Sequence, residues 1–328
     1  MEAIKYSLVV PVYKNEDSIQ RLLEQLTHAN ELLEGRLEVV FVVDGSPDAS
    51  YERLRSLLPK TPFASQLLAH SRNFGSFLAT RNGLIRARGK FYCVMAADLQ
   101  EPITLAVEMF ELLTADKCDV TVGRRVSRDD PMFSRISSEI FWWLYRKLVV
   151  PDMPAGGVDV FGCNKLFRDN LLKLEESRSS LVALIFWLGF RRKAVDYKRQ
   201  RRHGGKSAWT LKKKLAYLSD SICSFTDLPI RALVYVGTFG IVVSLAAACI
   251  VTAAKLSGMI EVPGYAATIL AICFFGAINL LSTGVIGTYA WRAYENTKNR
   301  PLGIIAREVD FPASRTPSQE HHHDTPNC

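Results

Sequence analysis

The 328-residue chain has no G-x-G-x-x-G after an apolar strand and no G-x-x-x-x-G-K-[ST]. That argues against the dinucleotide fingerprint and the phosphate loop of nucleoside triphosphatases. Gly204-Gly205-Lys206-Ser207 ends like such a loop, but lacks its first glycine and follows no apolar strand. Seven cysteines, at 93, 118, 163, 223, 249, 273 and 328, form no C-x-x-C pair. Neither a disulfide framework nor a zinc site is expected, and the thiols suit a reducing compartment. No signal-peptide pattern opens the sequence: Met1–Lys5 leads straight into the strand-length run SLVVPVY. Acids are outnumbered, 33 against 41 Lys+Arg, for a net charge of +8, and 48% of residues are apolar. Such a composition excludes a disordered or collagen-like chain, and the length allows about two domains.

Two uncharged runs stand out, 23 residues from Ala232 to Ala254 and 30 from Val262 to Trp291. Each exceeds the roughly 20 residues that cross a bilayer core. Arg231 precedes the first run, and Arg292, Lys298 and Arg300 follow the second; the connection from Lys255 to Gly264 holds one Lys and one Glu. The positive-inside rule then places both outer flanks in the cytoplasm. The expected organisation is a cytoplasmic domain over 1–210, an interfacial juxtamembrane helix over 211–228, spans at 229–256 and 265–291, and a cytoplasmic tail over 292–328. The tail, with its triplet His321–His323, is expected to lack fixed structure from about 312. Two amphipathic stripes read as interfacial helices: Leu211, Leu215, Leu218, Ile222 and Phe225, and Phe133, Ile136, Ile140, Phe141, Leu144 and Leu148 beside Trp142 and Trp143.

The first 122 residues alternate. Apolar runs at Ser7–Val12, Leu37–Val43, Gln66–Ala69, Phe91–Ala96 and Val120–Val122 read as strands, with helical spacing between them. The order implies an α/β fold with a doubly wound, mostly parallel sheet, whose ligands bind at the carboxyl ends of the strands. Polar clusters fall there: Tyr13 to Glu16, Asp44 to Asp48, Arg72 to Gly75, and Asp98 to Gln100. Asp, Asn, Gly and Ser at strand ends are also ordinary turn residues, so it is the four in register that point to a site.

PVYKNED, VVDGSPD, SRNFG, ADLQEP, RRVSRDD, RRHGGKSAW, SFTDLPIR and GVIGTYAWRAYENTKNRP occur in this order. The set, with the paired apolar runs, resembles the polyprenyl-phosphate glycosyltransferases of glycosyltransferase family 2, which include dolichol-phosphate mannose synthase and the bactoprenol glucosyltransferases. The likeness runs from about residue 5 to 308. It implies a GT-A catalytic domain, a nucleotide-sugar donor (UDP- or GDP-linked), a polyprenyl phosphate acceptor such as undecaprenyl phosphate, and Mg2+ or Mn2+. It further implies a multi-pass protein of the cell (inner) membrane, serving cell-envelope glycan modification, and an oligomer, since the family includes tetramers.

Residue by residue, the resemblance implies donor binding by Pro11, Tyr13, Glu16, Asp44, Arg72, Asn73 and Asp98, with Asp98 and Gln100 on the metal. Asp98 and Asp159 fall at catalytic positions, and Arg125, Arg128, Arg199, Arg202 and Lys206 at the acceptor phosphate. Two aspartates common in the family are replaced, by Val43 and Ala96. A membrane scaffold that keeps the fold without the chemistry is therefore the alternative. A processive polysaccharide synthase would carry more spans and Q-x-x-R-W, and the chain has neither. Residues 191–214 hold 11 Lys/Arg against one acid, Asp196. The charge suits a lipid phosphate or an anionic bilayer; nucleic acid is not expected beside a membrane hairpin. A phosphate monoester, with its second pKa near 6, is mostly ionised at neutral pH, so Asp159 is expected to position the acceptor more than to deprotonate it.

Overall fold

The structure, a computed structural model, describes residues 3–127, 141–154, 157–176, 180–200, 211–257, 264–298 and 300–314, without some side chains inside the helices. Two compact units make up the chain. One comprises Met1–Glu175, Ser180–Leu211 and Pro301–Cys328; the other Glu176–Ser179 and Lys212–Arg300.

The first unit is built on β1 (Tyr6–Val12), α1 (Ile19–Leu32), β2 (Leu37–Val43), α2 (Ser50–Leu57), β3 (Ala64–His70), α3 (Ser76–Arg86), β4 (Phe91–Val94) and α4 (Ile103–Thr114). Then follow β5 (Val120–Ser127), helical residues 141–148 (α5), β6 (Phe161–Asn164), α6 (Lys165–Leu172), α7 (Leu181–Trp187), β7 (Arg192–Lys198) and, after the second unit, β8 (Ile305–Phe311). The sheet order is β7-β5-β6-β4-β1-β2-β3-β8. β3, β2, β1 and β4 run parallel, as the alternation requires. All seven residues of β2 are buried, because helices cover both faces of a parallel sheet and leave no polar side. Val9, Val39, Phe41 and Leu67 are fully buried, each worth about 1.5–3 kcal/mol relative to exposure.

β6 is antiparallel to both β4 and β5, and β7 is parallel to β5. The carboxyl ends of β1–β5 and β7 and the amino end of β6 therefore share one edge of the sheet, and every strand-end cluster opens onto it.

Three strands lie beyond the alternation read from the sequence: β6, β7 and β8. The last falls in the expected tail, ahead of the stretch from about 312. Residues 305–311, expected in the tail, pair antiparallel with β3 from Ser65↔Phe311 to His70↔Ile305. Arg86 bonds Glu308 at 3.1 Å, and Arg88 approaches Asp310 at 3.6 Å. IAREVDF alternates only weakly in polarity and reads as tail until β3 offers its edge. Residues 315–328 lie outside the described residues.

In the second unit, α8 (Leu211–Phe225, all but its first residue), α9 (Leu228–Leu256) and α10 (Tyr265–Thr297) cover the expected interfacial helix and both expected spans. Arg292 of α10 donates to the Asp220 carboxylate of α8 at 2.6 Å. Val234, Tyr235, Phe239 and Leu245 on α9, and Ile272, Phe274, Leu280 and Leu281 on α10, are exposed. Among the described residues, no helix is long and apolar enough to cross a membrane. The transmembrane hairpin at 229–256 and 265–291 is thus not supported on those residues. Of the second interfacial stripe, Phe133, Ile136 and Ile140 lie outside the described residues. Tyr145 of the same helix is fully buried, its hydroxyl 2.8 Å from Ser180 Oγ, so part of that helix packs into the first unit.

Candidate active site

The first corner of the carboxyl edge lies at the ends of β1, β2 and β3. Asp44 follows β2 and is buried. Its Oδ1 accepts the Phe74 N–H at 2.8 Å and meets His70 Nδ1 at 2.8 Å; its Oδ2 accepts the Gly75 N–H at 2.8 Å. The Asp44 carbonyl accepts from Asn73 Nδ2 at 3.1 Å. Burial pushes the Asp44 pKa up, but the bonds from His70, Phe74 and Gly75 outweigh it and leave the net value lowered. A Cβ on Gly45 (φ +57°) would stand 2.3 Å from the Arg72 carbonyl carbon. No other residue lets the segment 71–75 close over the end of β2. VVDGS and SRNFG, joined by Asp44 and Phe74 30 residues apart, are therefore one physical unit.

Around it, the Arg72 guanidinium lies 4.1 Å over the Phe74 ring. Tyr13 is exposed, with Lys14 Nζ 5.6 Å from its ring centroid. Pro11 is half-buried within β1, level with Val42. Glu16 Oε2 accepts the Ala49 N–H at 2.8 Å, so its carboxylate closes the loop after β2. Of the expected donor residues, Tyr13, Asp44, Arg72 and Asn73 gather here.

The second corner lies at the ends of β4, β5 and β7. In β5 the pleat turns consecutive arginines to opposite faces. Arg124 faces out and makes a forked pair with Asp196, at 2.5 and 2.8 Å. Arg125, its side chain 4% exposed, pairs with Asp159, which also accepts from Tyr197 Oη at 3.3 Å. Arg199 Nη2 donates to Gln100 Oε1 at 2.5 Å, and the Gln200 N–H donates to the Gln100 carbonyl at 2.8 Å. These bonds hold the end of β7 against the loop 98–101, where Asp98 Oδ1 accepts the Gln100 N–H at 3.3 Å.

The sequence pattern passes over Glu101 and Tyr197, which belong here. Glu101 is buried, and burial, reinforced by the charge of Asp98 and opposed by Arg199 and Arg125, pushes its pKa up to about 7. Burial also raises the Tyr197 pKa. Glu101 Oε2, Arg125 Nε and Arg199 Nε are buried without a hydrogen-bond partner among the described residues. The one signal for Glu101 was an acid beside the motif glutamine. Arg128, Arg202 and Lys206 lie outside the described residues.

Asp98 and Gln100 offer hard oxygen donors. Among the described residues no group of three or more His, Cys, Asp or Glu could hold a metal ion. The pair fits a magnesium or manganese ion whose shell is completed by water and diphosphate oxygens, provided Gln100 turns from Arg199.

Residues 7–174 match glycosyl transferase family 2. The uncharacterised glycosyltransferase YkcC of Bacillus subtilis is 30% identical over 97% of this chain and 98% of its own length. The SfII prophage-derived bactoprenol glucosyl transferase of Shigella flexneri is 30% identical over 93% of this chain and 98% of its own. Among solved structures, mannosyl-3-phosphoglycerate synthase from Rubrobacter xylanophilus aligns with 80% of this chain and 79% of its own, at 13% identity and a TM-score of 0.44. The motif order read from the residues and the match over half the sequence agree: the chain belongs to glycosyl transferase family 2.

Proposed function

We propose that the protein transfers a sugar from a nucleotide-sugar to a polyprenyl phosphate, undecaprenyl phosphate above all, at a membrane surface. The observation that carries this reading is the set of buried, exchangeable charge contacts at the second corner: Arg125 on Asp159, and Arg199 on Gln100. A reaction between a diphosphate ester and a phosphate monoester must bring two anions together, and cations already held beside the metal ligands offset that repulsion. When bound at Asp98 and Gln100, a divalent cation supplies Lewis-acid neutralisation of the diphosphate leaving group. Arg125 and Arg199 receive the acceptor phosphate, with Arg128, Arg202 and Lys206 as further expected contacts. Asp159 returns Arg125 to place and orients the acceptor, which is already ionised. Tyr13, Arg72 and Asn73 line the donor corner.

The membrane half of the proposal rests on the uncharged runs 232–254 and 262–291 and on the apolar side chains α9 and α10 expose. Exposed apolar side chains in such number favour apolar surroundings. By flanking charge, the catalytic unit and both termini lie on the cytoplasmic side. Bactoprenol glucosyl transferases that match the chain over most of its length carry names that fit this acceptor.

The test is a panel of UDP- and GDP-sugars with manganese, with and without undecaprenyl phosphate. The expected result is a lipid-linked sugar and free nucleoside diphosphate for one donor. A folded protein that yields no lipid product with any donor would overturn the proposal and favour the silent scaffold, which Val43, Ala96 and the engaged Gln100 oxygen would then explain.

A further inference from the structure

We propose that His70 is a positioning residue for the donor corner, and that the C-terminal strand β8 holds it in place. His70 ends β3 with its side chain fully buried. Nδ1 lies 2.8 Å from Asp44 Oδ1 and Nε2 lies 2.8 Å from Asn82 Nδ2. An amide nitrogen only donates, so Nε2 accepts, and the ring proton sits on Nδ1 and is donated to Asp44. The imidazole is thus held from both sides. The Phe74 ring meets it edge-on at 5.4 Å.

β8 closes over this arrangement. The β3–β8 register shifts at Ala69/His70, and Ser71 N–H donates to the Ile304 carbonyl at 3.0 Å. A Cβ on Gly303 would stand 2.6 Å from Asn82 Nδ2 and 3.7 Å from His70 Cε1. Gly303 therefore allows the chain entering β8 to press Asn82 onto His70. His70 in turn orients the carboxylate that receives the Phe74 and Gly75 N–H groups and so sets segment 71–75. Asp44, with these three bonds, serves the donor by fixing the loop that carries Arg72 and Asn73. The assignment rests on the reading that this loop faces the donor.

The test uses the full chain and three variants, His70→Leu, His70→Asn and Gly303→Ala. Hydrogen exchange is followed at the Phe74 and Gly75 amides, and UDP binding with manganese by calorimetry. Loss of one hydrogen bond to a buried carboxylate corresponds to about a 10-fold change. His70→Leu should speed exchange at both amides about 10-fold and weaken UDP binding to a similar degree, with β1 and β2 amides unchanged. Asn can present a donor near the Nδ1 position, so His70→Asn should stay within about 3-fold of wild type. Gly303→Ala should repeat the His70→Leu pattern more weakly, and it decides the matter if His70→Leu does not fold. Unchanged exchange at 74 and 75, or faster exchange with unchanged UDP affinity, would overturn the proposal. A wild type that binds neither UDP nor GDP would count against the donor reading, and the exchange data would then support or refute the clamp alone.

Discussion

Beside β2 and β3, the buried carboxylate of Asp44 meets three donors, and the loop above it is closed by Gly45 and β8. Beside β4, β5 and β7, buried polar atoms of Glu101, Arg125 and Arg199 find no hydrogen-bond partner among the described residues, and Arg125 and Arg199 pair with the side chains of Asp159 and Gln100. Local backbone bonds make the first corner a fixed platform. Long side chains holding one another, with atoms to spare, suit the second to exchanging partners when anions arrive. Unsatisfied buried groups cost about 1–3 kcal/mol each, a cost that a bound phosphate would relieve. A rigid donor seat beside a re-pairing charge cluster divides binding from chemistry.

Substitutions that act on one corner alone test that division. The largest effect is expected from Asp98→Ala, which removes the carboxylate of the proposed metal pair: metal-dependent transfer should fall by at least about 100-fold, with the melting temperature little changed. Residual transfer that still responds to manganese would move the metal elsewhere.

Arg125→Ala should come next. It strips Asp159 of its cation and the acceptor of a contact, costing roughly 1.5–3 kcal/mol, or about 10- to 150-fold in transfer rate. Metal-dependent hydrolysis of the donor by water should survive in the same preparation, because the donor side is untouched.

Asp44→Ala belongs to the other corner: it should weaken donor binding at least as much as His70→Leu, about 10-fold, and cost about 1–3 kcal/mol of stability, through the N–H groups of Phe74 and Gly75 and the His70 ring left unpaired. Its pH dependence has a definite sign. The folded-state pKa is lowered from 3.8, so the contribution is complete above that value and is lost as pH falls through the lower folded pKa. The gap in urea midpoint between wild type and Asp44→Ala should therefore narrow from pH 7 to pH 3. A constant gap would mean that the carboxylate charge is not what holds the loop.

Arg124→Ala should do least, less than about 2-fold in transfer, because an exposed ion pair contributes little and salt screens it. Arg124 and Arg125 are sequence neighbours of identical chemistry, and only the pleat separates their expected effects.

The sequence shows the parallel half of the sheet because β1–β4 are buried on both faces and read as apolar runs. It shows the strand-end clusters because turns need Asp, Asn and Gly. β8 stays hidden because an edge strand with one wet face carries little hydropathy signal, and its partner lies more than 230 residues away. His70 is written at the end of an apolar strand, but only the fold reveals that its ring faces Asp44 and Asn82. Glu101 and Tyr197 are hidden for a related reason: burial is a property of what closes over a residue, and Glu101 is met by Arg199 at the end of β7 while Tyr197 lies level with Arg125 of β5, each brought from far away in sequence.

The division between corners is tested most directly by steady-state kinetics on His70→Leu and Arg125→Ala, varying the donor at saturating undecaprenyl phosphate. His70→Leu should raise the donor KM about 10-fold with kcat held within about 2-fold, and Arg125→Ala should lower kcat at least about 10-fold with the donor KM held within about 3-fold. Equal changes of both constants in both variants would show that the two corners act as one, contradicting the account.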